Sequence, residues 1–356
     1  MSMKILAIET SCDDTSVAIV KDGSYILSSV VATQLEHSEF GGVVPEVAAR
    51  EHIKNIVPVL EEAFRVAEVT WDEIDAIAVT KGPGLVGSLI VGVNTAKSLA
   101  YLHQKPLIAI HHIEGHIYAN WLSKEKSTEP QFPLVCLTVS GGHTNIIYMK
   151  KHLKYEIIGE TRDDAAGEAY DKVAKMLGLG YPGGPIISRM ALTGDPNKYS
   201  FPITDLTEAP SRNEEKYLVP GVESLDFSYS GLKTAVLQTV NKLKIINPEL
   251  SNTVKSDVSA SFEFTANKIL ARNLARAVYK HNPKTILLSG GVAANNNLRK
   301  QVMEEFAQIR TKILYPEINC CTDNAAMIAA AAYQHALISD FIDTKTLVPD
   351  PNLKLT

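Results

Sequence analysis

One pattern that occurs twice does most to limit how this chain can fold. Lys4–Thr10 reads as a buried strand and Thr15–Val20 as its hairpin partner, with the turn formers Ser11-Cys12-Asp13-Asp14 between them. Asp22-Gly23 then turns the chain into a third strand, Ser24–Ala32. Far downstream the pattern restarts. Leu134–Val139 is a strand, Ser140-Gly141-Gly142-His143 a tight turn, and Thr144–Met149 the returning strand. Strand, short turn and strand at the head of each half predict a duplicated α/β fold, with two related lobes around a cleft. The 356 residues agree with this, because one hydrophobic core seldom grows past about 250–300 residues.

Helical and strand periods alternate after each hairpin. Pro45 and Glu46 suit a helix start, with apolar residues at helical spacing to about Ala67. Ala76–Thr80 reads as a buried strand, Lys81-Gly82-Pro83-Gly84 as a loop, Leu85–Leu102 as a helix and Leu107–Ile110 as a short strand. In the second half, a helical tract over Ala165–Leu177 leads through the glycines of Gly178–Gly184 into a helix ending near Met190. The polar stretch 194–226, with Pro196, Pro202, Pro210 and Pro220, reads as an irregular excursion. Helices resume near Gly231, a long one covers Val254–Lys280, and Thr285–Leu288 is a strand entering the turn Ser289-Gly290-Gly291. Helices over Asn297–Phe306 and Asp323–Leu337 close the pattern, and the tail after Asp343 is expected to be loosely held.

Composition removes several classes of function. No apolar run approaches the ~20 residues that span a bilayer. Glu9, Asp13 and Asp14 interrupt any signal-peptide core, and no arginine precedes Arg50, which argues against a transit peptide. A cytoplasmic protein with no membrane partner is expected. The four cysteines, Cys12, Cys136, Cys320 and Cys321, form no C-x-x-C pair, so reduced thiols are expected. A net charge of −5 argues against holding nucleic acid by bulk electrostatics. A local basic patch, or a partner that brings the positive charge, would have to serve instead.

Chemistry concentrates in His111-His112-Ile113-Glu114-Gly115-His116. In a helix, His112 and His116 stand one turn apart on one face, where two imidazoles can chelate a metal if a third group arrives. The alternative is a helix whose histidines serve hydrogen bonding or a solvated face. Asp323 at a helix mouth reads first as a cap, or else as the oxygen ligand that completes a two-histidine, one-carboxylate set. Such a set suits iron(II) or zinc. His143 could be a ligand neighbour, a phosphate donor or a turn residue. Ile113 breaks the H-E-x-x-H pattern of zinc proteases, and Glu114 would point away from the face the histidines share.

Four glycine turns, at Gly82-Pro83-Gly84, Ser140-Gly141-Gly142-His143, Gly183-Gly184 and Ser289-Gly290-Gly291, could present backbone N–H groups to an anion. Together they favour a nucleotide-like ligand, although each alone is as well explained by a structural turn. None fits the P-loop or the G-x-G-x-x-G dinucleotide fingerprint.

These motifs, taken in order, add up to a family resemblance. Glu9-Thr10-Ser11-Cys12-Asp13-Asp14-Thr15-Ser16, Gly82-Pro83-Gly84, His112-Ile113-Glu114-Gly115-His116 and Ser140-Gly141-Gly142-His143-Thr144 are followed by Gly167-Glu168-Ala169-Tyr170-Asp171-Lys172 and Tyr181-Pro182-Gly183-Gly184-Pro185. Ser289-Gly290-Gly291-Val292-Ala293-Ala294-Asn295 and Thr322-Asp323-Asn324-Ala325-Ala326-Met327 complete the set. Over nearly all of residues 4–340 the chain resembles the TsaD (Gcp, YgjD) family of tRNA threonylcarbamoyltransferases.

The resemblance implies an α/β ASKHA fold, the actin-like ATPase architecture, with two ribonuclease-H-like lobes around a central cleft. One lobe would take residues 1–116 plus 325–345, the other 117–324, leaving 346–356 as a tail. It implies transfer of a threonylcarbamoyl group from threonylcarbamoyl-AMP to N6 of the adenosine 3′ of the anticodon, in tRNAs reading ANN codons. By motif position, His112, His116 and Asp323 would ligate one divalent metal per subunit, iron(II) ahead of zinc. Thr138, Val139, Ser140, Gly141 and Gly142 would cradle the acyl-phosphate end, while Asp171, Gly184 and Asn295 would hold the nucleotide. Ser188 stands where many relatives have aspartate, which weakens a ribose contact there. The roles of Glu9, Asp13 and Asp14 stay open, and no general base is identified. A TsaB-like paralogue and a TsaE-like ATPase are the partners implied.

Two rival readings remain. One is another phosphotransferase on the same fold, although such kinases hold magnesium through phosphates rather than histidines. The other is a non-catalytic scaffold subunit, against which the presence of all three candidate ligands speaks.

Overall fold

The computed structural model describes residues 2–34, 36–122, 129–203 and 224–356. The first half forms β1 (Lys4–Glu9), β2 (Asp14–Lys21), β3 (Tyr25–Thr33), a short α1 (His37–Phe40), α2 (Pro45–Ala67), β4 (Ala76–Gly82), α3 (Val86–Leu102), β5 (Leu107–His111) and α4 (His112–Tyr118). The second half forms β6 (Leu134–Val139), β7 (Thr144–Lys151), β8 (Lys154–Glu160), α5 (Ala166–Leu177), α6 (Gly183–Ala191) and α7 (Ser230–Ile246). It continues with α8 (Asn252–His281), β9 (Thr285–Ser289), α9 (Asn296–Glu305), β10 (Lys312–Leu314) and α10 (Ala325–Leu337). Of the stretch read as an irregular excursion, residues 204–223 lie outside the described residues.

The duplication read from the sequence is complete at the level of topology. The strand orders are β3-β2-β1-β4-β5 and β10-β9-β6-β7-β8. In each sheet a three-stranded antiparallel meander is extended by two parallel strands on the far side of its first strand. The third strand of the second meander, β8, and the last strand, β10, are not anticipated from the sequence. Most of β8 is solvated, with only Gly159 buried, so it carries no alternation to read. β10 has three residues, too few to show any period.

Alternation along each first strand sorts its side chains into separate cores. Leu6 and Ile8 of β1 face α2 and α3, while Ile5 and Ala7 face the other way. On β6, Val135, Leu137 and Val139 join the core beneath α5 to α9, whereas Leu134 and Cys136 join the core shared with β1. That shared core contains α4, which touches strands of both sheets, and α10, which packs on α4 and the first sheet. Its composition explains the fit. Ala325, Ala326 and Ala329–Ala332 on α10 meet Ala7, Ala18, Ala76 and Ala78 on the strands, and small side chains let a helix sit close to a sheet. α2 packs through Ala48, His52, Ile56, Val59 and Ala63, spaced by three or four residues as one helical face requires.

Two local expectations change. Asp323 does not cap the last helix. That helix starts at Ala325, and Asn324 is the cap, its side chain accepting from Met327 N at 2.9 Å. The tail expected to hang loosely is packed instead. Leu347 is buried, Asp350 N donates to Lys81 O at 2.8 Å, and Lys97 Nζ donates to Leu347 O at 3.0 Å.

Gly115 sets how closely α4 and α10 approach. A Cβ there would lie 2.6 Å from Ile328 Cδ1, which would have to move, and 3.1 Å from Met327 Cγ, a tight contact. Gly115→Ala should therefore destabilise the fold by about 1–3 kcal/mol from overpacking, against a helix-propensity gain of up to about 1 kcal/mol. Urea denaturation checks this, and Ile328→Ala should recover part of the loss in the double variant. A midpoint equal to or above wild type for Gly115→Ala would contradict the packing account.

Candidate active site

The first strand ends in a buried carboxylate. Glu9 is fully buried, its Oε1 accepts from Ser11 N at 2.5 Å, and its Oε2 accepts from Thr80 Oγ1 at 2.5 Å. Oε2 also lies 3.2 Å from Nδ1 of His112, and Ser11 Oγ is 3.1 Å from that same nitrogen. With Nδ1 occupied in this way, Nε2 of His112 is left to face the cleft, 3.6 Å from Asp323 Oδ1. One turn on, His116 is wholly buried, with its Nε2 3.2 Å from the same Asp323 oxygen. The two rings stand edge to face, centroids 4.7 Å apart.

Among the described residues, neither ring nitrogen of His116 has a hydrogen-bond partner. The short approach to Asp323 is off the line that a hydrogen bond needs. A buried imidazole without partners is costly, and a cation between it and the carboxylate removes that cost. Ligand atoms of His112, His116 and Asp323 all lie within 4.8 Å of one another. Atoms about 2.0–2.2 Å from a shared ion lie up to about 4.4 Å apart, so small adjustments close the set. The residues present fit a divalent metal.

The electrostatics agree with that fit. Burial opposes charge on His112, but Asp323 and Glu9 outweigh it and push the ring up to about 9. Burial likewise works against an ionised Asp323, and the two histidines overcome it, holding the carboxyl well below its usual range. Burial, together with the charges of Asp323, Asp13 and Glu9, pushes Asp14 up to about 7. Glu9 and Asp323 thus flank the His112 ring with carboxylate oxygens on either side, the charge a bound cation would take over.

The third histidine of the cluster has a structural task. His111 Nδ1 accepts from Ile113 N at 3.1 Å and so caps α4. Burial lowers its pKa to about 4, so the ring is neutral and its Nε2–H can donate to Leu353 O, 3.1 Å away. His143 is pushed down to about 4, chiefly by burial and further by the electrostatic influence of His112, His116 and His111.

The glycine turns divide into two kinds. At Gly141, Gly142, Gly184 and Gly291 an added Cβ would meet nothing within 4 Å, so their backbone opens onto free space. Gly82 and Gly84 are packed instead against Asp350 O and Ser11 O, so the Gly82-Pro83-Gly84 turn is structural and leaves the anion-binding set. The remaining turns are contiguous. Gly167 N at the start of α5 donates to Ser140 O at 3.2 Å, and Gly290, with φ +84°, lies against Val139 O.

The other residues assigned by resemblance make contacts within the protein around these turns. Thr138 Oγ1 lies 2.8 Å from Ser289 Oγ and ties β6 to β9, while Val139 points into the core. Any contact these two make with a ligand falls to their main chain. Ser140 Oγ accepts from His143 N at 3.2 Å and closes the turn. Asp171 Oδ1 accepts from Gly183 N at 2.8 Å, so the carboxylate sits at the mouth of α6 beside Gly184. Asn295 caps α9 through Oδ1, accepting from Leu298 N, and its Nδ2 donates to Glu263 Oε1 at 2.7 Å.

Sequence reasoning missed Glu263. It is buried and also accepts from Ser188 Oγ at 2.7 Å, so a carboxylate stands next to the serine. A lone charge beside the buried apolar positions Phe262, Ala266 and Ile269 of α8 was its one signal.

Solved structures of similar shape define the class. HypF from T. kodakarensis superposes with a TM-score of 0.59 at 13% identity, over 95% of this chain and 48% of that chain. Component A of the Acidaminococcus fermentans (R)-2-hydroxyglutaryl-CoA dehydratase superposes at 0.52 with 14% identity, over 95% of this chain and 99% of that one. With the duplicated sheet order, these likenesses define an ASKHA-type, actin-like two-lobed fold.

Sequence comparison is more specific. A family model for TsaD, described as tRNA N6-adenosine threonylcarbamoyltransferase, matches residues 25–330. A Bacillus cereus protein of that name is 53% identical over 329 residues, covering 92% of this chain and 90% of the relative. One from Clostridium perfringens is 48% identical over 352 residues, covering 99% and 98%. The chain belongs to the TsaD family of tRNA-modifying transferases.

The Glu9–His112 contact leads to a prediction. Carboxylates that orient a metal-bound histidine contribute about 10–100-fold to metal affinity, so Glu9→Gln should weaken Co(II) binding by that factor. Competition titration against a chromophoric chelator measures it. Wild-type affinity in a folded Glu9→Gln protein would remove Glu9 from this role.

Proposed function

We propose that this chain transfers the threonylcarbamoyl group of threonylcarbamoyl-AMP to N6 of the adenosine 3′-adjacent to the anticodon, in tRNAs that read ANN codons. The observation that carries this reading is the convergence of His112, His116 and Asp323, with an unpartnered imidazole at its centre, beside glycine turns that open onto free space. Family membership supplies the tRNA-modifying reaction class. The site supports the acyl-adenylate chemistry.

In the proposed reaction, N6 attacks the carbamoyl carbon of the mixed anhydride. A C–N bond forms, the C–O bond to phosphorus breaks, AMP leaves, and N6 loses a proton. The donor is already activated, so positioning and charge stabilisation are what the protein must contribute. Backbone N–H groups of Ser140, Gly141 and Gly142 are assigned to the acyl-phosphate end, with Thr138 and Val139 contributing main chain only. Asp171, Gly184 and Asn295 are assigned to the nucleotide. His112, His116 and Asp323 would hold one divalent metal, iron(II) ahead of zinc, which when bound supplies Lewis-acid polarisation of a donor oxygen.

On this reading the two lobes are residues 1–116 with 325–345, and 117–324. No helix among the described residues is long and apolar enough to cross a membrane. We place the reaction in the cytoplasm, where tRNA is found. With a net charge of −5 the chain is a poor bulk ligand for tRNA. That is the physical argument for partners, namely a TsaB-like paralogue and a TsaE-like ATPase.

The double variant His112→Ala/His116→Ala should lose bound metal and reduce threonylcarbamoyladenosine formation at least about 100-fold, the scale of losing one strong electrostatic contact in the transition state. Metal analysis and mass spectrometry of tRNA nucleosides read both outcomes. Undiminished modification by the folded double variant would overturn the reading.

A further inference from the structure

Helix α4, which carries both histidines, has only seven residues. A helix that short has little stability of its own, so something else must set its rotation about its axis. At 3.6 residues per turn, residue 114 lies about 200° around the helix from both 112 and 116. Glu114 therefore projects from the back of the helix, away from the metal ligands. It is nearly fully buried, as a carboxylate seldom is without partners.

Its partners come from two other elements. His335, in the last turn of α10, donates from Nε2 to Glu114 Oε1 at 3.0 Å, while its Nδ1 lies 2.8 Å from Asp340 Oδ2. Tyr155 of β8 donates its hydroxyl to the same Glu114 oxygen. One turn further along α4, Tyr118 Oη accepts from Leu153 N at 3.3 Å and lies 3.0 Å from His152 Nδ1. The back of α4 is thus pinned to the helix that Asp323 immediately precedes, and to the β7–β8 hairpin of the second sheet. The geometry points to Glu114 as a positioning residue: by bonding His335 and Tyr155 it fixes the rotation of α4, and with it the spacing between the His112/His116 pair and Asp323.

This inference rests on the reading that those three residues bind a metal. A side chain with a merely structural role would change stability and leave the coordination sphere alone, so Co(II) can separate the two. Full-length wild type, Glu114→Gln, Glu114→Ala, His335→Gln, Tyr155→Phe and the double variant Glu114→Gln/His335→Gln are loaded with Co(II). Binding constants and visible d–d spectra are recorded on protein shown folded by circular dichroism.

Glu114→Ala and His335→Gln should weaken Co(II) binding about 10-fold, the lower end of what supporting groups contribute, with a shifted d–d band. Glu114→Gln keeps an acceptor oxygen and should recover part of the loss, and Tyr155→Phe should have the smallest effect. Because Glu114 and His335 act through one contact, the double variant should be no worse than the more damaging single one. Wild-type affinity and an unchanged spectrum in folded Glu114→Ala and His335→Gln would overturn the proposal, as would additive losses in the double variant. If the Glu114 variants do not fold, His335→Gln decides by the same two readouts. Failure of wild type to bind Co(II), or equal binding by His112→Ala, would overturn the metal reading itself and be told apart from failure of the clamp alone.

Discussion

The structure depends on two helices packed against each other. α4 and α10 occupy the shared core, and their close approach is eased by Gly115, which meets Ile328 and Met327 where a Cβ would force Ile328 to shift. Alanines on α10 and on β1, β2 and β4 extend the same logic to the sheet. This packing puts the ends of the two helices side by side. Two histidines one turn apart on α4 and an aspartate two residues before α10 then converge without any long loop to hold them. A site on packed elements is positioned more sharply than one on loops.

The charges follow from that placement. Glu9 ends the strand that runs beside α4, and it is satisfied by Ser11 N, Thr80 Oγ1 and His112 Nδ1. A buried carboxylate of this kind orients an imidazole and raises its basicity. On the opposite side of the helix Glu114 is satisfied by other groups altogether, so two residues apart the same short element uses one carboxylate in front and one behind. His111 completes the arrangement as cap, its ring neutral in its buried site.

Much of this was legible before any coordinates. The paired hairpins declare the duplication because β1 and β6 are buried on both faces and bounded by turn formers. Helix α2 begins and ends where Pro45 and the loss of apolar period place it. Failures have physical causes. β8 is an edge strand with solvated side chains, and β10 is too short to carry a pattern. Asp323 and Asn324 are both good caps, and one-dimensional reasoning cannot tell which of two adjacent residues turns inward. The tail looks loose by composition, since Pro349 and Pro351 suggest it, yet backbone bonds with Lys81 and Gly84 and the burial of Leu347 anchor it. Of the site, His112 and His116 were readable from spacing. Asp323 could be read either as a cap or as their oxygen partner, and the resemblance chose between the two. The residues assigned to a nucleotide came from resemblance alone, while Glu263 is apparent only in three dimensions.

Glycine illustrates why the same residue type could not be read one way. Gly82, Gly84 and Gly115 are required by what already touches them, whereas Gly141, Gly142, Gly184 and Gly291 face open space. On the proposed reading, the second kind leaves room for a ligand. Burial first, and then the charges of Asp323, Asp13 and Glu9, push Asp14 up to about 7, and a phosphate brought beside those carboxylates meets the same charges. Backbone dipoles alone offset little of this. On the proposed reading, an adenylate can be bound beside Glu9, Asp13, Asp14 and Asp323 only if positive charge is bound with it. The converging imidazoles and carboxylate and the open glycine turns are therefore halves of one requirement.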